Sequence, residues 1–269
     1  MKPLEACEKP DLLLSFDFDG TLHHPADRQP VPLDLFETLR ELRKTRDAVW
    51  GINTGRSIPF VIEGMMESAF PFSPDWIIAR EREIHLPNAF GRFEPYQKWN
   101  RRCSDDIRRL FKKAGGLLKR IRREIEEHTG AQYVEMDGDP AGLISRTEEE
   151  MEWIVDHITP MVEEVPELGW QRNSIYLRFG HRNYQKGTTL SEVMRLYDLE
   201  RSQVFAMGDS HNDVEMLSPT HSGQAACPAN AVDAIRELIR ARGGYVAKAA
   251  HGEGVIEALR ELYGPSTEK

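Results

Sequence analysis

The sequence predicts an α/β protein whose doubly wound parallel sheet is interrupted by a second, smaller domain. Two patterns support this fold class. Near both ends of the chain, short apolar segments that run into polar loops alternate with amphipathic helical segments, as in βαβ units. In the middle, the order helix-strand-strand occurs and is repeated once, as in a small antiparallel sheet covered by helices. A chain of 269 residues is long enough for a core domain with such an insertion.

The first βαβ unit lies near the amino terminus. Leu12 to Phe16 is an almost continuous apolar run, which predicts a strand buried on both faces. Leu33 to Arg46 has leucines at helical spacing, and Ala48 to Asn53 returns to a strand. A helix from about Pro59 to Glu67 and a strand from Trp76 to Ala79 continue the alternation. We therefore expect a Rossmann-like arrangement in this part of the chain.

The middle and the last part of the chain complete the predicted order of elements. The middle elements are a helix (105–127), strands at 132–136 and 142–146 with a turn at 137–140, a helix (148–163), and strands at 168–172 and 174–179. A helix at 188–197, a strand at 204–207 and a helix at 231–240 follow. We predict a core domain formed by residues 1–85 and 181–269, and an αββαββ insertion at 86–180.

The composition argues against several classes of protein. A net charge of −9 disfavours a nucleic-acid partner, since such a partner needs a basic surface. Ten basic residues do lie between Arg101 and Arg123, but on a helical wheel they oppose an apolar stripe and are interpreted as a solvent-exposed face. No apolar run approaches the roughly 20 residues of a membrane helix. We expect no membrane partner, a cytoplasmic location, and a monomer or homodimer.

Acidic residues follow two of the predicted buried strands. Asp17 and Asp19 come directly after the first strand, and Asp209 and Asp213 follow the strand at 204–207. The carboxyl ends of parallel strands form the edge at which open α/β sheets bind ligands. Carboxylates clustered there favour Mg²⁺, which prefers hard oxygen ligands. Two neighbouring carboxylates can also carry out phosphoryl transfer. One of them attacks phosphorus while the other transfers a proton.

Two further polar residues stand at element ends between the acidic clusters. Thr54 follows the second strand, and Lys186 precedes the helix at 188–197. A hydroxyl and an ammonium group at such positions can hold phosphoryl oxygens and stabilise negative charge in the transition state. The combination of these residues with the two acidic clusters predicts a phosphoryl-transfer enzyme.

The complete set of motifs resembles that of the haloacid dehalogenase superfamily of phosphatases. The segment DFDGT at 17–21 resembles the first motif, Thr54 the second, Lys186 the third, and GDSHND at 208–213 the fourth. The insertion resembles the class IIB cap of the Cof-type and sucrose-phosphatase-like branch. The chain departs from that branch at Arg80 to Glu83, where many Cof-type members carry an Asn-Gly pair.

The resemblance implies roles for individual residues. It implies that Asp17 is the nucleophile and a metal ligand, and that Asp19 is the acid/base and binds the metal through its backbone carbonyl. Asp209 and Asp213 would complete and support the Mg²⁺ site. The phosphate group of the substrate would be bound by Thr54, Gly55, Lys186 and Asn212.

The reaction implied is hydrolysis of a small phosphate monoester, such as a sugar phosphate, through an aspartyl-phosphate. A phosphomannomutase-like isomerase is an alternative, because that branch shares the cap type and the first motif. A non-catalytic protein that binds a phosphorylated metabolite is disfavoured, since every acid that the chemistry needs is present. A serine esterase is excluded, because none of His211, His221 or His251 has an aspartate three residues before it.

Strand alternation in the insertion points to residues that could determine specificity. In the strand at 174–179, Ile175, Leu177 and Phe179 alternate with Tyr176 and Arg178. The apolar set is expected under the helices, which leaves Tyr176 and Arg178 on the free face of the sheet. The same reasoning places Tyr133 and Glu135 on that face. We expect this face to close over the core site, where these four residues would contact the leaving group.

Overall fold

The computed structural model describes residues 2–5, 7, 9–136 and 139–264, and the side chains of residues 135–141 lie outside this description. The chain divides into two compact units. The first, the core unit, comprises Met1–Gln97 and Lys186–Lys269. The second, which we call the insert, comprises Lys98–Gln185. The insert thus begins later than the predicted residue 86, because the chain between 83 and 95 adds two strands to the core sheet.

The elements alternate between strands and helices through most of the chain. In chain order they are β1 (Leu12–Phe16), α1 (Leu33–Arg46), β2 (Ala48–Asn53), α2 (Ile58–Glu67), β3 (Trp76–Ala79), β4 (Glu83–Pro87), β5 (Phe93–Pro95), α3 (Gln97–His128), β6 (Gln132–Met136), β7 (Asp139–Ile144), α4 (Glu148–Val162), β8 (Leu168–Asn173), β9 (Tyr176–His181), α5 (Lys186–Leu196), β10 (Val204–Met207), β11 (Gln224–Cys227), α6 (Asp233–Ala241), β12 (Tyr245–Val246) and α7 (His251–Tyr263). The sequence patterns did not predict β4, β5, β11, β12 or α7.

The described part of the core unit forms an eight-stranded sheet in the order β12-β11-β10-β1-β2-β3-β4-β5. The strands from β12 to β3 pair in parallel, while β4 and β5 are antiparallel additions at one edge. Strand β1 is central, and every one of its five residues is buried. Phe16, its last residue, pairs with Ile52 of β2 and Met207 of β10. The predicted α/β fold class is confirmed, and this register brings the loops after β1, β2 and β10 to one edge of the sheet.

In the described part of the insert, a four-stranded antiparallel sheet, β6-β7-β9-β8, packs against α3 and α4. Helix α3 continues through Gly115 and Gly116, where an added Cβ atom would meet no neighbour within 4 Å. Leu177 and Phe179 are buried with the helices, whereas Tyr176 is exposed and Arg178 is half-buried. This confirms the predicted alternation in β9. The predicted turn at 137–140 falls largely outside the described residues.

The face predicted for Tyr133 is wrong. Tyr133 pairs with Leu143, which pairs with Leu177 on the helix-covered face of the sheet. Its ring packs against the apolar cluster of the insert and lies 4.9 Å from the guanidinium carbon of Arg122. The aromatic ring has more apolar surface to bury than Val134, so it takes the inner position. The side chain of Glu135 is outside the described residues.

Ion pairs along the exposed side of α3 agree with its interpretation as a solvent-exposed face. Arg108 pairs with Asp105 at 3.0 Å, and Lys113 pairs with Glu167 at 2.8 Å. Arg122 pairs with Glu126 at 2.7 Å. Within the described ranges, no helix has both the length and the apolar character needed to cross a membrane.

A buried ion pair supports the end of the sheet at which β2 and β3 begin. Asp75 Oδ2 accepts hydrogen bonds from Arg43 and, at 2.9 Å, from the backbone N–H of Trp50. Arg43 Nε donates to the carbonyl of Ala48 at 2.6 Å. Both charged side chains are nearly inaccessible to solvent. The pair therefore ties α1 to the starts of two adjacent strands.

We predict that Asp75→Ala lowers the free energy of unfolding by about 3–5 kcal/mol, because it leaves the Arg43 guanidinium buried without its counter-charge. Urea denaturation followed by circular dichroism measures this change. Glu126→Ala, which removes an exposed partner of Arg122, is the matched control and should cost about 0.5 kcal/mol or less. Equal effects of the two substitutions would contradict the prediction.

Candidate active site

The site is built on the loops that follow β1, β2 and β10. Asp17 comes directly after β1, and its backbone N–H donates to the carbonyl of Met207 at 2.9 Å. Thr54 follows β2 and donates its backbone N–H to Ile78 at 2.9 Å. These main-chain bonds extend the parallel pairing by one residue beyond the strands. The first residue of each loop is therefore held in place by the hydrogen bonding of the sheet.

Three carboxylates meet at this edge. One oxygen from each of Asp17, Asp209 and Asp213 lies within 4.8 Å of the others. Lys186 Nζ lies 2.5 Å from Asp17 Oδ1 and 2.5 Å from Asp213 Oδ1. Lys186 and Asp213 are completely buried, and Asp17 is nearly so. With all four groups ionised, one ammonium faces three carboxylates, which leaves an excess of two negative charges.

Two of the three acids, Asp17 and Asp209, have raised pKa values, and burial is the largest cause for both. Burial, together with the nearby Asp213, raises the pKa of Asp209 to about 7. Burial also raises the pKa of Asp17 well above its ordinary value, although Lys186 acts in the opposite direction. Burial alone would lower the pKa of Lys186, but the Asp17 and Asp213 carboxylates outweigh it and raise that pKa. The lysine is thus held as a cation beside acids that lack a full counter-charge.

Hydrogen bonds orient two of the three acids, Asp209 and Asp213. Asp213 Oδ2 accepts hydrogen bonds from the backbone N–H groups of Asp209 and Ser210, at 2.9 and 3.0 Å. Thr21 Oγ1 donates to Asp209 Oδ1 at 2.8 Å. Gly20 has a φ of +81°, and a Cβ atom there would lie only 2.4 Å from Asp209 Oδ2. Glycine is required at this position both by the backbone conformation and by the close approach of Asp209.

The donor set fits a magnesium ion. Asp17, Asp209 and Asp213 supply hard carboxylate oxygens on rigid backbone, and they outnumber the one ammonium group, that of Lys186, which lies beside them. A divalent cation would neutralise the excess charge. The side chain of Asp19, in contrast, is not part of this cluster.

The Asp19 side chain is instead held by Arg56. The guanidinium donates two hydrogen bonds, from Nε to Oδ2 at 2.7 Å and from Nη2 to Oδ1 at 2.5 Å. His23 Nδ1 lies 3.6 Å from Asp19 Oδ1. Partial burial acts to raise the pKa of Asp19, but the interactions with His23 and Arg56 outweigh it and hold the pKa below its ordinary value. Sequence reasoning did not assign a role to Arg56, although its position two residues after Thr54 is a local signal.

The remaining predicted phosphate-binding residues lie around a residue that the sequence did not single out. Asn212 Nδ2 donates to Glu81 Oε1 at 2.8 Å. A Cβ atom added to Gly55 would lie 3.6 Å from the same oxygen. Asn53 Nδ2 donates to the carbonyl of Lys186 at 3.1 Å, which connects the end of β2 to the start of α5. The structure therefore brings Gly55 and Asn212 together around Glu81.

The predicted specificity residues belong to the insert. Tyr176 and Arg178 share the face of its sheet that does not carry the helices, and Arg178 donates to Gln171 at 3.3 Å. Tyr133 is on the opposite face, as described above. Glu135 has no described side chain.

Comparisons with known proteins agree with this fold. A model of the haloacid dehalogenase-like hydrolases matches residues 125–259. The phosphoglycolate phosphatase of Methanothermobacter thermautotrophicus is 39% identical over 79 residues, which is 29% of this chain and only 33%, about a third, of that relative. The kanosamine-6-phosphate phosphatase of Bacillus subtilis is 23% identical over 98% of this chain and 96% of its own length.

Solved structures extend the likeness to both units. The sucrose-phosphatase of Synechocystis sp. PCC6803, solved with sucrose and phosphate, superposes with a TM-score of 0.69 at 19% identity. The match covers 94% of this chain and 98% of that protein. At this identity the likeness concerns the fold. The match of the family model to half of the chain, on a fold that carries all four motifs, shows that the protein belongs to the haloacid dehalogenase-like hydrolases.

Proposed function

We propose that the protein is a Mg²⁺-dependent phosphatase that hydrolyses a small phosphate monoester, of the sugar-phosphate type, through an aspartyl-phosphate on Asp17. The observation that carries this proposal is the buried cluster in which Lys186 bridges Asp17 and Asp213 beside Asp209. The names of the relatives, phosphoglycolate phosphatase and kanosamine-6-phosphate phosphatase, support the substrate class, as does the sucrose-phosphatase structure with bound sucrose and phosphate.

In the first half-reaction, a carboxylate oxygen of Asp17 forms a bond to phosphorus while the bond from phosphorus to the leaving oxygen breaks. Asp19 gives its proton to that oxygen, so the leaving group departs as an alcohol. In the second half-reaction, Asp19 takes a proton from water, whose oxygen attacks phosphorus and releases Asp17. Arg56 stabilises the carboxylate form of Asp19, which the second half-reaction needs. For the first, Asp19 has to leave Arg56, take up a proton from solvent and then contact the leaving group.

Lys186 and the loops supply the remaining interactions. The Lys186 ammonium fixes the Asp17 carboxylate and reduces its repulsion with an anionic phosphate. Thr54, Gly55 and Asn212 are the proposed donors to the phosphoryl oxygens. Mg²⁺ would be held by Asp17, Asp209, Asp213 and the Asp19 carbonyl, and when bound it supplies positive charge to the phosphoryl group.

A panel of phosphorylated sugars and small organic acids, assayed for release of inorganic phosphate with and without EDTA, tests the proposed function. We expect phosphate release from at least one sugar phosphate and its loss with EDTA. Interconversion of hexose monophosphates in the presence of a hexose bisphosphate, without release of phosphate, would identify a mutase instead.

We predict that Asp17→Asn lowers kcat by at least about 10³-fold, because the amide has nearly the same volume but cannot attack phosphorus. Phosphate release and the circular-dichroism spectrum, measured together, separate loss of chemistry from loss of fold. Asp27→Asn, an exposed substitution in the same segment, is the control and should keep full activity. Turnover of Asp17→Asn within tenfold of the unmodified protein would show that another group is the nucleophile.

We also predict that Mg²⁺ raises the Tm more at pH 8 than at pH 5. In the folded protein the pKa of Asp209 is raised to about 7, whereas in the unfolded chain it is near 4. The folded state therefore binds the Asp209 proton more tightly, and the free energy of unfolding falls as the pH rises from about 4 to about 7. Magnesium ions bind the ionised carboxylates and should therefore stabilise the protein mainly above pH 7. Thermal unfolding with MgCl₂ or NaCl at equal ionic strength measures the effect. An equal Tm shift at both pH values, or an undiminished shift in Asp209→Asn, would count against the site.

We further propose that the free face of the insert sheet influences which leaving group is accepted. Arg178→Ala and Tyr176→Ala should then change kcat/KM by about tenfold for some substrates and reorder the panel, with little change in the Mg²⁺ requirement. Tyr133→Phe is the matched control, because Tyr133 lies on the helix-covered face, and it should keep the substrate order. Unchanged kcat/KM for every substrate in both alanine variants would assign specificity elsewhere.

A further inference from the structure

The turn that joins β3 to β4 has an unusual backbone for its sequence. Arg82 N–H donates to the carbonyl of Ala79 at 3.0 Å, and the two residues between them, Arg80 and Glu81, have φ values of +49° and +65°. Positive φ values at both central positions of a four-residue turn are typical of turns that strongly prefer Asn-Gly, because other residues are strained there. Strained backbone that persists in a rigid fold is a pointer to function.

The turn is held by hydrogen bonds on two sides. Arg80 N–H donates to the carbonyl of Arg56 at 2.8 Å, and Glu81 N–H donates to the carbonyl of Thr54 at 2.8 Å. On the other side, Thr189 Oγ1 of α5 donates to the carbonyl of Glu81 at 3.1 Å. The strained residue is thus fixed against the loop after β2 and against the helix that begins with Lys186.

This backbone directs the Glu81 side chain into the site. Glu81 is only 4% exposed, and its carboxylate lies against Gly55 while it accepts the hydrogen bond from Asn212. A carboxylate is costly to bury and adds negative charge next to the proposed phosphate pocket. Packing alone therefore does not explain why a glutamate occupies this buried position.

The chemistry of the two groups supplies that reason. A carboxylate only accepts hydrogen bonds, so the Asn212 amide must turn its nitrogen toward Glu81. Asn212 Oδ1 is buried and has no hydrogen-bond partner among the described residues. The amide orientation is therefore determined by the hydrogen bond from Nδ2 to Glu81. The second N–H of that amide is then available to a phosphoryl oxygen.

We infer that Glu81 is a positioning residue, which fixes the Asn212 amide as a donor to the phosphoryl group. The inference rests on the proposed function, since it gives Asn212 its ligand. Glu81 needs no contact with substrate in this role. Glu81 acts only by orienting the Asn212 amide. The strained turn at Arg80 and Glu81 holds the Glu81 carboxylate in the position that this contact requires.

The experiment compares Glu81→Gln and Glu81→Gly with Arg80→Gly. Glycine accepts positive φ readily, so both glycine variants should keep the Tm within about 3 °C of the unmodified protein. Glutamine keeps the shape of the side chain but permits either amide orientation at Asn212. We expect both Glu81 variants to lower kcat/KM by about 10- to 100-fold, the range for one hydrogen bond to a charged group, and Arg80→Gly to lower it less than threefold.

A double-mutant cycle with Asn212→Ala distinguishes positioning from a general structural effect. If Glu81 acts through Asn212, Glu81→Gln should change kcat/KM less than twofold when Asn212 is already alanine. The same cycle is measured for binding of inorganic phosphate by calorimetry with MgCl₂ present. This arm does not depend on turnover, so it tests Glu81 even if the unmodified protein hydrolyses no substrate and the proposed function fails.

Two results would overturn the inference. One is unchanged kcat/KM and unchanged phosphate affinity in both Glu81 variants. The other is a Glu81→Gln effect that is equally large with and without Asn212. A loss of affinity in both Glu81 variants that disappears in the Asn212→Ala background supports it.

Discussion

The contact of Lys186 with Asp17 and Asp213 is the interaction on which the site depends. The lysine is completely buried and lies 2.5 Å from both carboxylates, with Asp209 close by. A buried charge is tolerable only when its partners are held in place, and here the ends of β1 and β10 and the start of α5 hold them. The backbone N–H groups that bind Asp213, and the glycine that makes room for Asp209, serve the same requirement. The excess of negative charge that remains suits a divalent cation.

The two aspartates of the first motif are held in different electrostatic environments, although they are two residues apart. Asp17 is buried among carboxylates, which raises its pKa, whereas Asp19 is bound by Arg56 and has a lowered pKa. Under the proposed function, the nucleophile and the acid/base therefore differ in environment although they belong to one short motif. This separation of roles depends on partners contributed by distant parts of the chain.

The core unit and the insert differ in how their polar residues are used. In the core unit most charged groups of the site are buried, and hydrogen bonds or ion pairs hold them in place. In the insert, β9 alternates between apolar residues packed on the helices and polar residues on the free face. Substitutions on that free face disturb little packing, so such a surface can change without loss of the fold.

The sequence by itself determined the central strands and the chemical motifs. β1, β2, β3 and β10 were predicted with the bounds that the structure has, because buried parallel strands are apolar throughout and end in polar loops. Since the side chains that carry the motifs directly follow these strands or begin a helix, their convergence at one edge followed from the fold class. Asp17 and Lys186 are accordingly in contact although they are 169 residues apart.

Only the tertiary structure decided the residues whose roles depend on long-range partners. Arg56 and Glu81 are ordinary charged residues in the sequence, and their contacts with Asp19 and Asn212 arise from loops that the fold brings together. Tyr133 was assigned to the wrong face because alternation alone does not fix which of two apolar neighbours a helix covers. The short strands β4 and β5 were missed since pairing, rather than local pattern, stabilises them. Local periodicity specifies elements and their ends, whereas side-chain partners depend on packing between elements that are distant in sequence.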